Sequence, residues 1–319
     1  MHLDVYFCLS FKYSYDKIRK NKRGINMVKK VVLGILLSAL ILFITVIVIV
    51  LCYLNLDIET NEPEKEKQIC EIKTEQYKNR KVFIVTPKEE KSNIKILYFH
   101  GGAYAAEATE KHWEFIQKLA LDTKATIIMP DYPLIPKYNY KDVFEMVEPL
   151  YREIIEEVDS DNLIVMGDSA GGGLGLALME KVSLEDMEIA KKLILISPWL
   201  DVRLTNPEIE NVQNKDEELD RKNLKLAGIA YAGEDGINSY LVNPIDGDLS
   251  KLNNITIFAG TNDILNPDAH LMQEKAKKQG VSIELIEYES AAHNWIIENN
   301  SSEELIKKGY EDLLESISK

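Results

Sequence analysis

Short apolar runs alternate with amphipathic stretches through most of the chain. The runs are four to six residues long, as in buried strands, and the stretches repeat apolar positions with the period of a helix. We predict strands at 82–86, 94–99, 126–129, 163–166, 193–196, 255–258 and 283–288, and helices at 108–122, 141–158, 170–182, 267–279 and 302–317. Because parallel strands need helical crossovers, this alternation predicts a doubly wound α/β domain with a mostly parallel sheet over residues 79–319.

The region from residue 201 to residue 250 breaks this alternation. It has few strand signals and is polar and acidic, as in NPEIENVQNKDEELDRKN. A connection of this length is unusual inside a compact α/β domain. We therefore predict an inserted cap at about 201–250.

A different pattern occupies residues 31–54, which read VVLGILLSALILFITVIVIVLCYL without one charged side chain. A helix of this length rises about 36 Å and would cross a hydrocarbon core of about 30 Å. Lys29 and Lys30 precede the run and acidic residues follow it, so the positive-inside rule places the N-terminus in the cytoplasm. The sequence thus predicts a single-pass cell-membrane protein, with the lipid bilayer as a partner and residues 55–319 outside the cytoplasm.

A cleaved signal peptide is the main alternative, because its basic start and apolar core look similar. The run is longer than a typical signal core and no A-x-A-like site closes it, which favours an uncleaved anchor. We expect a basic cytoplasmic leader at 1–30, a stalk at 55–78, and Met27 as the true initiator, since Met27-Val-Lys-Lys precedes the apolar run.

The charge of the 319-residue chain is unevenly distributed. The net charge is −14, but residues 1–30 carry eight Lys/Arg against two Asp, which leaves −20 for the remainder. An acidic body repels phosphate backbones, so we expect no nucleic-acid partner. The three cysteines, Cys8, Cys52 and Cys70, cannot form a disulfide framework.

The sequence Gly167-Asp168-Ser169-Ala170-Gly171 lies where a predicted strand ends and a predicted helix begins. A nucleophile elbow needs this context, because its serine occupies a strained turn and residues two positions away must lack bulk. We predict that Ser169 is a nucleophile.

A serine nucleophile requires a histidine base and a carboxylate that orients the base. His293 follows the last predicted strand and Asp263 follows the strand before it, which gives the chain order Ser, Asp, His of α/β hydrolases. His2, His112 and His270 are interpreted as surface or satisfied residues. Asp268 and Glu287 are ranked below Asp263 because they would lie within a helix or a strand.

The oxyanion of an acyl-transfer intermediate requires backbone donors. The sequence His100-Gly101-Gly102-Ala103 closes an early strand, and we predict donors among Gly101, Gly102 and Ala103, completed by Ala170. His100 is interpreted as a residue that organises this loop. No metal or other cofactor is expected, since there is no H-x-x-x-H pair and the cysteines are remote.

Six motifs in order resemble the hormone-sensitive-lipase-like esterases of the α/β-hydrolase fold: HGGAY (100–104), DYPLIP (131–136), GDSAGG (167–172), SPWLD (197–201), NDIL (262–265) and AHNW (292–295). The resemblance spans about residues 80–318 and implies ester hydrolysis by Ser169, Asp263 and His293. Ala103 replaces a glycine common in that family, Pro133-Leu134-Ile135 replaces a segment that usually holds an arginine and an alanine, and Ile264 stands where proline is frequent. A membrane anchor before this domain resembles the arylacetamide deacetylase branch.

The sequence therefore predicts a serine carboxylesterase that acts on small-molecule esters with short to medium acyl chains. Trp199 and the polar 201–250 segment are the features that favour short acyl groups. Two alternatives remain open: transfer of the acyl group to an envelope sugar or lipid, and an anchored binding protein of the same fold without turnover.

Overall fold

The computed structural model describes residues 38–39, 42–47, 50, 53 and 56–319. Residues Asp57–Lys319 form one compact unit, and residues 1–56 belong to a second one in which positions 38–39, 42–47, 50 and 53 are helical. Among the described residues, no helix combines the length and the apolar character that a membrane span requires. The predicted leader, Met27 and most of the predicted membrane segment 31–54 lie outside the described residues.

The larger unit contains an eight-stranded sheet. The strands are β1 (Glu71–Tyr77), β2 (Arg80–Thr86), β3 (Lys95–Phe99), β4 (Thr126–Pro130), β5 (Leu163–Asp168), β6 (Lys192–Ile196), β7 (Ile255–Gly260) and β8 (Ile283–Tyr288). Their order is β1-β2-β4-β3-β5-β6-β7-β8, in which only the pairs β1–β2 and β2–β4 are antiparallel. The prediction of a mostly parallel α/β sheet is confirmed.

Helices cover both faces of the sheet. They are α1 (Glu110–Thr123), α2 (Tyr140–Glu157), α3 (Ala170–Leu184), α4 (Ile209–Val212), α5 (Arg221–Ala232), α6 (Asn266–Lys278), α7 (Trp295–Glu298) and α8 (Glu303–Ser318). Side chains alternate across a strand, so Leu97 and Phe99 pack with α2 and α3, whereas Ile96 and Tyr98 pack with α1 and α8. The two faces of β3 thus belong to two separate hydrophobic cores.

The predicted stalk at 55–78 differs from the structure, because β1 lies inside it and residues from 57 onward pack on the folded unit. Thr60 is completely buried, and its N–H donates to the Asp131 carboxylate at 2.9 Å. Arg80 forms ion pairs with Asp57 at 2.8 Å and with Asp131 at 3.0 Å. Polar composition suggested a stalk, but β1 is an edge strand whose side chains are mostly exposed or half-buried.

The predicted cap segment, 201–250, contains the short helix α4, the longer helix α5 and a 3₁₀ turn at Pro244–Asp246. Asp220 begins α5 by accepting a hydrogen bond from the N–H of Asn223 at 2.7 Å. Leu224 and Tyr231 form part of the buried face of this helix. Sequence reasoning identified the segment but not α5 within it.

Candidate active site

Ser169 occupies the sharp turn between β5 and α3. Its backbone has φ 50° and ψ −119°, a conformation that is strained for a residue with a side chain. Three backbone hydrogen bonds hold the turn: the Ser169 N–H donates to Ile196, and the Ser169 carbonyl accepts from Gly173 and Trp199. Since β6 supplies Ile196, the sheet itself fixes the direction of the Ser169 side chain.

Small residues on either side let the turn close. A Cβ atom at Gly167 would lie 2.3 Å from the carbonyl oxygen of Gly171, and one at Gly171 would lie 2.0 Å from that of Phe99. Both separations are shorter than any non-bonded contact. The two glycines predicted from the elbow motif are therefore required by close backbone approach.

The structure brings together the three side chains predicted as nucleophile, base and acid. The Ser169 Oγ lies 3.0 Å from His293 Nε2, and His293 Nδ1 lies 2.8 Å from Asp263 Oδ2. All three residues are buried, and the second Asp263 oxygen accepts the N–H of Leu265 at 2.8 Å. Ser169 precedes α3, whereas Asp263 and His293 follow β7 and β8, so the carboxyl ends of parallel strands deliver all three to one edge of the sheet.

The charge environment of His293 suits a general base. Burial alone would lower the pKa of His293, but the Asp263 carboxylate at Nδ1 raises it above the ordinary value of 6.5. The Nδ1–H donates to Asp263, which leaves Nε2 free to accept the proton of the Ser169 hydroxyl. The arrangement can therefore activate Ser169 for attack on a carbonyl carbon.

The backbone after β3 forms the loop in which we predict the oxyanion donors. Gly102, Ala103 and Tyr104 have positive φ values of 114°, 54° and 58°. His100 organises the loop as predicted: its ring stacks on Tyr132 with centroids 4.5 Å apart, and its carbonyl accepts the Tyr132 hydroxyl at 2.6 Å. Burial lowers the pKa of His100 to about 4, so this ring is neutral.

One predicted donor has a different partner. The Gly101 N–H donates to Asp168 Oδ1 at 2.9 Å, so it is occupied and does not serve an oxyanion. The carboxylate of Asp168 takes this bond because it points back beneath the loop from the end of β5. Gly102, Ala103 and Ala170 remain the predicted donors.

Sequence reasoning missed Asp168 itself, although it lies within the elbow motif. It is completely buried, and its carboxylate also contacts Tyr98, His112 and Asn294. Burial would raise the pKa of Asp168, but the His112 ring and the Tyr98 hydroxyl hold it below its usual value. Asp168 is therefore a buried, ionised carboxylate next to the predicted nucleophile.

Further polar contacts, which the sequence did not predict, fix the loops that carry the predicted base, His293, and the predicted acid, Asp263. The Asn294 N–H donates to Ser197 Oγ at 3.1 Å, and the Asn300 side-chain amide donates to the His293 carbonyl at 2.9 Å. From the 201–250 segment, Asp216 Oδ2 accepts the N–H of Ile264 at 2.8 Å. Ile264 adjoins Asp263, so this segment supports the acid loop directly.

The histidines and the aspartate that the sequence did not favour as base or acid have other partners. His270 is half exposed and contacts Glu287 at 2.7 Å. Asp268 accepts a hydrogen bond from Asn206 at 3.0 Å, and its burial raises its pKa to about 6. His112 is not on the surface but is satisfied inside the fold. Within the described part of the chain, no group of three or more His, Cys, Asp or Glu side chains could hold a metal ion.

A family model described as alpha/beta hydrolase fold matches residues 96–297. The chain belongs to this family. The matched range includes Ser169, Asp263 and His293 and covers more than half of the chain.

Curated relatives of this hydrolase are named for acyl-ester chemistry. An esterase of Acinetobacter venetianus is 29% identical over 203 residues, which are 63% of this chain and 67% of the relative. A triacylglycerol lipase of Mycobacterium tuberculosis is 27% identical over 69% of this chain, and the match spans only 46% of that lipase. An acetyl-hydrolase of Streptomyces hygroscopicus is 25% identical over 63% of this chain and 67% of the relative.

Solved structures agree on the fold. A hormone-sensitive lipase from a metagenome library superposes with a TM-score of 0.73 at 24% identity, covering 82% of this chain and 92% of that one. The family match and this likeness support the resemblance to hormone-sensitive-lipase-like esterases at the level of fold. The family match and the curated relatives confirm the predicted class of enzyme, a serine hydrolase that acts on ester bonds.

Proposed function

We propose that this hydrolase is a serine carboxylesterase that uses Ser169, His293 and Asp263. The observation that carries the proposal is the continuous hydrogen-bonded chain from Ser169 Oγ through both nitrogens of His293 to Asp263, with links of 3.0 and 2.8 Å. Its position at a strand-to-helix turn, beside a loop with left-handed backbone, is the context that acyl transfer requires.

The reaction proceeds in two halves. Ser169 Oγ attacks the ester carbonyl carbon while its proton passes to His293 Nε2; the tetrahedral intermediate collapses, and His293 returns the proton to the departing alcohol. Water then attacks the acyl-enzyme, again giving its proton to His293, and the carboxylic acid leaves as Ser169 regains its hydrogen. Asp263 stabilises the imidazolium formed in each half. Gly102, Ala103 and Ala170 are the proposed N–H donors to the oxyanion.

We further propose a preference for short to medium acyl chains. Tyr104, which follows the oxyanion loop, stacks on Tyr231 of α5 with ring centroids 3.6 Å apart and on Trp199 with centroids 5.8 Å apart. All three rings are buried, so aromatic side chains fill the space next to this loop. The acetyl-hydrolase among the relatives is consistent with such a preference.

The cellular location is a separate proposal. The uncharged run 31–54 and the basic residues before it support a single-pass anchor with a cytoplasmic N-terminus and the catalytic domain outside. Separation of membranes from soluble protein, followed by protease treatment of intact cells, tests this topology. Full protection of residues 57–319 in intact cells would contradict it.

A panel of p-nitrophenyl esters from acetate to palmitate, assayed with the full chain and its Ser169→Ala variant, tests the chemistry. We expect the highest kcat/KM for acetate to hexanoate and a loss of about 10⁴-fold or more in the variant. Equal rates in the two proteins would refute the esterase proposal, and a maximum at palmitate would refute the acyl preference alone.

A further inference from the structure

The Asp168 carboxylate joins three separate loops next to the proposed nucleophile. Its Oδ1 accepts hydrogen bonds from the Tyr98 hydroxyl and from the Gly101 N–H at 2.9 Å. Its Oδ2 accepts the Asn294 side-chain amide at 2.7 Å and lies 3.3 Å from His112 Nε2. Each oxygen therefore has two donors, which fills the acceptor capacity of a carboxylate.

These hydrogen bonds connect the Asp168 carboxylate to the segments that carry the other parts of the proposed active site. Asp168 precedes Ser169, Asn294 follows His293, and Gly101 begins the loop that holds the proposed oxyanion donors. One buried charge therefore ties together the backbones that carry the nucleophile, the base and the oxyanion site. A displacement of this carboxylate would move these three backbones relative to one another.

His112 is the donor that comes from outside the site. It lies in the first turn of α1, and its side chain is 3% exposed. The backbone N–H of Thr109 donates to His112 Nδ1 at 3.0 Å, so Nδ1 is an acceptor and the ring hydrogen lies on Nε2. The capping interaction at the start of α1 thereby aims an N–H group at Asp168.

We propose that His112 is a positioning residue for the ester hydrolysis described above, and this inference rests on that proposed function. Its Nε2–H stabilises the ionised form of Asp168 and fixes the Oδ2 oxygen that also holds Asn294. His112 itself touches no reacting atom. It acts through Asp168 on the placement of the base loop and of the Gly102 and Ala103 N–H groups.

This role predicts a particular kinetic signature. The oxyanion and the imidazolium exist only after attack has begun, so misplaced donors weaken the transition state more than the substrate complex. Loss of the Nε2–H donor should therefore lower kcat and leave KM nearly constant. Affinity for a trifluoromethyl ketone, which forms a tetrahedral adduct with a serine nucleophile, should fall in parallel with kcat.

A matched pair of amide variants separates the two contacts of the ring. The His112→Gln amide can reach Asp168 as Nε2 does, whereas the shorter His112→Asn amide can accept the Thr109 N–H but does not reach Asp168. We expect kcat for p-nitrophenyl acetate to fall about 10- to 100-fold in His112→Asn and less than about fivefold in His112→Gln, with KM within about twofold of the parent in both.

Control variants separate the effect of His112 from the effects of removing any histidine and of misfolding. His270→Asn removes an exposed histidine that contacts Glu287 and should leave kcat unchanged. Melting curves establish that the variants fold, and His112→Leu, which fills the same buried space, replaces His112→Asn if the latter fails to fold. Unchanged kcat in the Asn and Leu variants, or equal losses in Asn and Gln, would overturn the positioning role. Activity that survives Ser169→Ala would instead overturn the proposed function.

Discussion

At the level of single residues, the proposed active site is a contact between side chains that are distant in sequence. Ser169 and His293 are 124 positions apart, and Asp263 and His293 are 30 positions apart. Parallel strands place their carboxyl ends at one edge of a sheet, so the turns after β5, β7 and β8 converge without any local sequence signal. Because these turns converge, His293 lies against the buried Asp263 carboxylate, which raises the pKa of His293.

The protonation of His293 predicts the pH dependence of the reaction. His293 accepts a proton only when its ring is neutral, and Asp263 holds its pKa above 6.5. We expect kcat/KM to be constant at alkaline pH and to fall about tenfold for each pH unit below that pKa. In Asp263→Asn the charge that raises the pKa is gone, so the inflection should move to lower pH and kcat should fall by about 10⁴-fold.

Rates measured from pH 5 to pH 9 with p-nitrophenyl acetate test this expectation. Asp268→Asn serves as a control, because Asp268 is a nearby buried carboxylate that accepts from Asn206 rather than contacting His293. A profile that stays flat from pH 5 to pH 8, or the same inflection in Asp263→Asn, would contradict the role of the pair.

The sequence predicted those site residues that lie in a recognisable local motif or in a recognisable order along the chain. Ser169 has its elbow motif, and Asp263 and His293 have the order of the α/β hydrolases. The pairing of His112 with Asp168 gave no such signal, because it joins α1 to the end of β5 across 56 positions. Gly101 was misassigned for the same reason: nothing local indicated that a carboxylate would occupy its N–H.

At the scale of elements, the buried ion pair of β2 fixes the segment that precedes the sheet. Arg80 is 5% exposed and binds Asp57 and Asp131, and Asp131 also accepts the Thr60 N–H. Burial raises the pKa of Asp131, against the opposing effects of Thr60 and Arg80. Removing one partner of a buried pair leaves a charge without compensation.

We predict that Arg80→Met lowers the free energy of unfolding by about 3–5 kcal/mol, as measured by urea denaturation. The adjacent Lys81→Met is the matched control, because Lys81 pairs with Glu59 nearer the surface and should cost less than about 1 kcal/mol. Similar losses in the two variants would contradict the importance of burial at Arg80.

Of the elements that the sequence missed, β1 and α5 are the longest, and both lack the apolar pattern on which prediction depends. In β1 (EIKTEQY) no residue is fully buried, since an edge strand covers little of the core. In α5 the exposed Leu226 and Ile229 obscure the period of the buried face. The predicted strands of the central sheet are short continuous apolar runs because both of their faces are buried, and the long helices that cover the sheet repeat apolar positions with a helical period.

At the scale of the whole molecule, the folded unit starts earlier than the predicted boundary at residue 79. Thr60 and Cys70 are buried, and β1 pairs with β2 through seven residue positions. We predict that a chain of residues 57–319 melts at least about 10 °C above one of residues 79–319, because the shorter chain exposes β2 and lacks Asp57, one of the two carboxylate partners of Arg80. Equal melting temperatures would contradict this boundary and would favour the prediction of a stalk at 55–78.

We propose that Ser169, activated by His293, is the nucleophile of this hydrolase. Covalent labelling of the full chain with a fluorophosphonate, followed by peptide mass spectrometry, tests this role. We expect one adduct, on the peptide that contains Ser169, and labelling slowed by at least about 10³-fold in His293→Ala. An adduct on another residue, or unchanged labelling of Ser169→Ala, would contradict it.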